Sequence, residues 1–467
     1  MRMRLHLHRF AAVAALLSAA GCATHTPPQD APPALPERWA QAPATGADGI
    51  AADWWSAFGS AELDALVRQA AEGSHDLAAA VARVQQAEAA ARAAGAALWP
   101  SLTAGVSAGR EARLGGHADV AGTAFGASLQ MRYEADFWGR HRAARDGGEA
   151  LLQASRHDRD TLRLALAAGV AGAWLQAVAL HERIDLGALN LQTAERLLAV
   201  VEARARAGAA SLLELAQQRG LVAAQRRSLA ALREQAHAAH MALALLLGRA
   251  EGAPLAQVRS LAALRAPALQ PGTPAALLAR RPDIARAEAQ LAAADADVAA
   301  ARAALLPALT LSADLASGAS RWRQVLDNPA YTLAAALAAP ILDGGRLAAV
   351  RDAAQARREE LLAGYRQTVV AAFVDVETAL GAMTELDAQR QAQADELRQA
   401  QRALALAERR YRAGAESLLT LLDAQRTLYA AQDLAAQLQA RRLQASVDLY
   451  RALGGGWRLQ DEEEAAS

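Results

Sequence analysis

The sequence predicts a mainly α-helical chain that lends four strands to a membrane β-barrel shared between subunits. Three features carry this expectation: a repeat at close to half the chain length, two proline-free stretches of about 70 residues, and four alternating apolar/polar stretches. "EARARAGAASLLELAQQ" at 202–218 returns as "RRYRAGAESLLTLLDAQ" at 409–425. The segment 75–109 returns at 282–316, with Asp76 opposite Asp283 and Pro100 opposite Pro307. "DFWGRHR" at 136–142 stands opposite "LDGGRLA" at 342–348. These landmarks recur in the same order, 206–207 residues apart.

Composition narrows the class. Of 467 residues 53% are hydrophobic and only 4% aromatic, and alanine, the strongest helix former, dominates. Charge balances at 49 basic against 49 acidic residues, which leaves no basic footprint for nucleic acid, and none is assigned.

From the N-terminus, Arg2, Arg4 and Arg9 precede an apolar run (10–17) and small residues, the pattern of a signal peptide over 1–21. Cys22 is the one cysteine, so no disulfide can form within the chain. Residues 22–60 read as an N-terminal linker, extended and Pro-rich over 24–36. No later segment has about 20 uninterrupted strongly apolar residues, so no membrane-spanning helix is expected.

Repeat one is expected over 61–250 and repeat two over 276–457, with a linker at 251–275 and an acidic tail at 458–467. Each opens with a helix (61–98; 277–305) that stops at Trp99-Pro100 or Leu306-Pro307. Two strands follow. Leu102, Ala104, Val106 and Ala108 alternate with Thr103, Gly105 and Ser107. Phe125, Ala127, Leu129, Met131 and Tyr133 alternate with Gly126, Ser128, Gln130 and Arg132. Repeat two repeats this over 309–315 and, in an Ala-rich form, over 331–339. Long helices over 138–206 and 344–412 would each span about 100 Å. Gly208 and Gly414 then read as helix stops, and Ser211 and Ser417 as N-caps of return helices over 211–247 and 417–453. Ser211 and Glu214 have capping-box spacing. In the second return helix Leu421, Leu428, Ala431, Leu434 and Leu438 keep coiled-coil spacing. Outgoing and return helices, stacked end to end, would match one long helix.

Four amphipathic strands cannot close a membrane barrel, for which about eight is the usual minimum. An open strand edge has no partner in lipid. The strands must therefore be shared between subunits.

With these residues in place, "LLARRPDIARAEAQLAAADADVAAARAALLPALTL" (277–311), "PILDGGR" (340–346), "YEADFWGR" (133–140) and "RYRAGAESLLTLLDAQRTLYAAQ" (410–432) resemble the TolC-like outer-membrane efflux channels. "LSAAGC" at 17–22 resembles a lipobox, with Ala19 where leucine is preferred, and points to the OprM/NodT-type lipoprotein branch. The resemblance implies lipidation at Cys22. It implies a homotrimer with a 12-stranded barrel in outer-membrane lipid, continuous with a long α-helical coiled-coil barrel in the periplasm. It implies docking on a periplasmic adaptor and an inner-membrane pump, of RND type first, and passive export of drugs or other small toxic compounds. By the same resemblance, Tyr411, Asp423 and Glu214 belong to a periplasmic gate, and the tips at Gly208 and Gly414 contact the adaptor. Two positions depart from the pattern: Thr420 replaces an aspartate and Glu416 an arginine.

No catalysis, cofactor or metal is expected. His237 and His240 lie three apart without the carboxylate of a zinc-hydrolase motif, and no phosphate-binding loop or nucleophile elbow occurs. Two other readings stay open: a conduit for type I protein secretion, and a structural coiled-coil lipoprotein without a pore.

Overall fold

The computed structural model describes residues 36–40, 50–117, 121–251, 258, 260–265 and 271–458. The expected signal peptide, Cys22, the stretch to residue 35 and the tail beyond Arg458 lie outside the described residues.

The first repeat runs α1 (Ala61–Gly73), α2 (His75–Ala96), β1 (Ser101–Ala112), β2 (Ala121–Ala135), α3 (Arg140–Arg206) and α4 (Leu212–Leu246). The second runs α5 (Pro282–Ala303), β3 (Ala308–Ala319), β4 (Pro329–Ala338), α6 (Arg346–Arg412) and α7 (Leu418–Ala452). The two long helices have 67 residues each and the return helices 35 each.

The opening helix expected over 61–98 is two helices. Ser74 takes an extended conformation, ends α1 and caps α2 by accepting from the Leu77 amide. Its counterpart in repeat two breaks at Arg281, ahead of Pro282, so the helix expected from 277 starts at 282. Each break receives the end of a return helix. Gly248 (φ 68°) lies so close to the Gly73 carbonyl that any side chain would collide with it. Gly454 (φ 90°) meets the Arg280 carbonyl in the same way. Only glycine suits a positive φ at such a close approach. Thus α2 continues the line of α4, and α5 that of α7, and both members of each pair pack along one long helix.

Two cores flank these junctions. One gathers Trp54, Phe58 and Leu63 around Trp174 and Leu175 of α3, with Tyr450 of α7 stacked on Trp54 at 4.9 Å. The apolar run of α3 near Val170–Ala179 is buried here. The other sets Trp39 on Phe373 of α6, with Ile284 and Leu449 beneath. The linkers are therefore not merely connecting: 22–60 supplies Trp39, Trp54 and Phe58 to the cores, and 251–275 supplies Leu261 and Leu264. The expected seam of α7 holds at Leu421, Leu428, Ala431 and Leu438, which are buried, but Leu434 is exposed.

Candidate functional site: membrane sheet and hairpin tips

The strands form one antiparallel sheet in the order β1-β2-β3-β4. Its register lines up one kind of residue on each face. Ala104, Leu129, Leu315 and Tyr331 stand in one row, and Leu102, Met131, Ala313 and Leu333 in the next. The opposite face carries Thr103, Gln130, Asp314 and Thr332 in register. The apolar face is uncovered: Tyr331 is 77% and Leu333 72% exposed. A soluble sheet would bury that face. Exposed apolar residues outside and polar ones inside are the pattern of a membrane strand.

Aromatic residues sit at both ends of this face. Trp322 of the β3–β4 connection meets Phe125 edge-on at 5.9 Å. At the helical end Trp99 and Phe137 are exposed, and the Trp138 ring nitrogen donates to the Pro307 carbonyl at 2.7 Å. Aromatic belts at two levels mark membrane–water interfaces.

The recurring "DFWGR" and "LDGGR" motifs turn strands into helices. Asp136 accepts from the amides of His141 (3.0 Å) and Arg142 (2.9 Å) at the start of α3. Asp343 accepts from Gly345 (3.0 Å) and Leu347 (2.9 Å) at the start of α6. Each carboxylate answers the unpaired amides and positive end of a helix. Burial pushes the Asp136 carboxyl upward, but those amides and the Arg142 guanidinium together hold it below its ordinary value.

At the far end of the long helices are the two tips. The Ala209 amide donates to the Arg204 carbonyl (2.8 Å) and the Gly208 amide to the Ala205 carbonyl (3.0 Å). Tip two repeats this with Ala415 to Arg410 (2.9 Å) and Gly414 to Tyr411 (3.0 Å). These are Schellman turns, with Gly208 (φ 68°) and Gly414 (φ 73°) left-handed. Ser211 and Glu214 close a full capping box. Ser417 caps α7 by accepting from the Thr420 amide.

The three expected gate residues have different surroundings. Glu214 is engaged in the cap: its carboxylate accepts from the Ser211 amide (2.6 Å) and hydroxyl (3.1 Å). Asp423 is exposed, with no hydrogen bond or ion pair among the described residues. Tyr411 is 3% exposed in a cluster with Val201, Leu221, Leu404, Leu418 and Leu421. Burial raises the Tyr411 hydroxyl above its ordinary value; Arg204 opposes the rise and Glu214 adds to it.

The two departures from the family pattern bond to one another. Glu416 accepts from the Thr420 hydroxyl (3.1 Å), the Ser417 amide (3.2 Å) and Arg410 (3.3 Å). The Ser417 amide, the Thr420 hydroxyl and Arg410 lower its pKa. Thr420 occupies the position that Glu214 holds in tip one, so tip two obtains its capping carboxylate from the other side of Ser417. Sequence reasoning missed Arg204, whose guanidinium carbon lies 4.8 Å from the Tyr411 ring centroid. The signal was present as the repeated arginine four residues before each tip glycine. Among the described residues no group of three or more His, Cys, Asp or Glu side chains converges on a metal site. His240 instead stacks on His181 across α3 and α4.

The comparisons agree with this architecture. The family model described as "Outer membrane efflux protein" matches residues 66–249 and again 273–455. The pyoverdine export outer membrane protein OpmQ of Pseudomonas putida is 49% identical over 454 residues, covering 95% of this chain and 96% of the relative. Outer membrane protein OprJ of Pseudomonas aeruginosa is 33% identical, covering 95% and 96%. Among solved structures, the open state of the Neisseria gonorrhoeae MtrE outer membrane channel superposes with a TM-score of 0.84 at 28% identity, covering 93% of this chain and 98% of that one. CusC superposes at 0.83 with 27% identity, covering 92% and 98%. A sheet dressed for lipid and mounted on paired long helices is the design these proteins share, and the chain belongs to the outer membrane efflux protein family, as an outer-membrane channel of an efflux system.

Proposed function

We propose that three copies of the chain close a 12-stranded barrel and form a passive duct from periplasm to exterior. One observation carries this: the sheet has four strands, an uncovered apolar face, and open edges at β1 and β4. Each unpaired backbone group at such an edge costs several kcal/mol in hydrocarbon. Pairing β4 of one copy with β1 of the next removes every edge. The number three rests on the family.

Cargo reaches the duct from an inner-membrane pump, of RND type, through a periplasmic adaptor seated on the tips at Gly208 and Gly414. The cargo is drugs or other small molecules; the relative named for pyoverdine export points to that class. Tyr411 and Asp423 close the periplasmic end, with Glu214 holding tip one rigid. Lipidation of Cys22 adds an anchor to the barrel.

Purified full-length protein in planar bilayers tests the duct. Discrete single-channel steps from a trimer of native mass are expected. A stable trimer that never conducts, even in variants designed to open the tips, would overturn the reading.

A further inference from the structure

The tips are not equivalent, and the difference lies in one arginine. Arg410 of tip two stays at home: its Nη2 donates to the Ala415 carbonyl (3.4 Å) and its Nε to Glu416 (3.3 Å). Arg204, its counterpart in tip one, also donates Nη2 to its own tip, at the Ala209 carbonyl (3.4 Å). Its Nη1 instead crosses to tip two and donates to the Tyr411 carbonyl (3.4 Å). The same guanidinium covers the Tyr411 ring at 4.8 Å from its centroid. Among the described residues Arg204 has no carboxylate partner, and the Tyr411 hydroxyl has no hydrogen-bond partner. The ring face and two carbonyls are what meets this cation.

We propose that Arg204 is the latch that ties tip one to tip two and keeps the duct closed, holding Tyr411 by its ring and not by its hydroxyl. A guanidinium over an aromatic face is attracted by the ring quadrupole, more so when partly desolvated. The two carbonyl contacts fix its plane, as a rigid fork of donors allows. Moving tip one away from tip two must break the ring contact and one carbonyl contact together. The inference deepens the proposed gate and rests on it.

The test is open probability of the reconstituted full-length trimer, with its melting temperature as a check on folding. Arg204→Gln and Tyr411→Leu should each raise open probability roughly 2- to 30-fold, the range of a cation–π contact. Tyr411→Phe should behave as the parent, because it keeps the ring. Arg204→Lys should retain part of the closure, keeping the cation but losing the fork. The double variant Arg204→Gln/Tyr411→Leu should open no further than Arg204→Gln alone, because that change already removes both the ring contact and the carbonyl contact. If Tyr411→Leu opens the duct and Arg204→Gln does not, the latch is wrong and the gate stands. If Tyr411→Phe opens as far as Tyr411→Leu, the hydroxyl is the holding group and the latch is again wrong. If none of these variants nor Asp423→Ala changes conductance, the gate reading itself fails.

Discussion

Leu129 and Gln130 are neighbours on β2 whose side chains face opposite sides of the sheet, and the same substitution in each should have opposite consequences. Leu129 lies near the middle of the strand, between Ala104 and Leu315. Gln130 lies between Thr103 and Asp314. An arginine on the lipid face at the bilayer midplane costs about 2–4 kcal/mol, and three copies in a trimer make roughly three times that. An arginine on the lumen face meets water and, in Gln130→Arg, gains a nearby Asp314. Its effect should stay within about 0.5 kcal/mol, as for ordinary surface substitutions. Urea unfolding of the trimer in lipid vesicles measures both. Leu129→Arg should sharply lower the midpoint or abolish insertion, while Gln130→Arg should keep the midpoint and shift ion selectivity toward anions. Equal tolerance of both, or greater damage from Gln130→Arg, would refute the assignment of faces.

Gly148 of α3 is closely approached: a Cβ there would sit 3.2 Å from the Ala91 Cα and 3.3 Å from the Ala94 Cβ of α2. Gly148→Leu should destabilise by about 1–3 kcal/mol through overpacking, read as a lowered melting temperature, and an unchanged one would deny the close contact. Ser211→Ala removes the acceptor for the Glu214 amide and should cost about 1 kcal/mol locally, seen as faster hydrogen exchange at the start of α4 and nowhere in the barrel. Asp136 has a folded pKa below its ordinary 3.8, so the stability it contributes is complete above that value and lost as pH falls beneath it. Asp136→Asn should therefore flatten part of the acid limb of a stability–pH profile, and an identical acid limb in both proteins would remove Asp136 from that account.

Much of the architecture was legible because each element announces itself locally. Period-two alternation gave β1, β2 and β3, and Gly208, Gly414, Ser211 and Ser417 gave the tips, since stop and start signals act within a few residues. The break at Ser74 was missed for an instructive reason. Gly73-Ser74 is itself a stop and a cap, but an alanine-rich stretch on both sides reads as one helix. What enforces the break is the end of α4 arriving at the Gly73 carbonyl, more than 170 positions away in sequence. The burial of Trp39 and Trp54 was invisible for the same reason, because their partners Phe373 and Tyr450 are remote. In the tips, the sequence showed that Glu416 and Thr420 departed from the family pattern, but their bonding to one another needed the three-dimensional turn. Arg204 shows the limit most clearly: the arginine repeats four residues before each tip glycine, but that spacing does not tell which of the two crosses to the Tyr411 ring.

The composition itself argues for a hollow wall over a solid bundle. A helix in a wall one helix thick has neighbours on two flanks and is open on its other two sides. On α3, Gly147 faces Ala293 and Ala296 of α5, while Gly148 next to it faces Ala91 and Ala94 of α2. Consecutive helix positions point about 100° apart, so two adjacent small residues serve two different neighbours. Small flanks let the axes approach; larger side chains there would force gaps in the wall. A filled coiled-coil core needs the reverse, large apolar residues along one central seam. Such residues concentrate here where a further layer covers the long helices, as Trp54, Phe58 and α1 do over Trp174, and at the tips, where Leu404, Leu418 and Leu421 surround Tyr411. A chain that is 53% hydrophobic yet 4% aromatic, with alanine dominant, supplies such small flanks in number. The pore-free coiled-coil alternative would leave these alanine flanks without a purpose, which makes the duct the economical reading of the helices as well as of the strands.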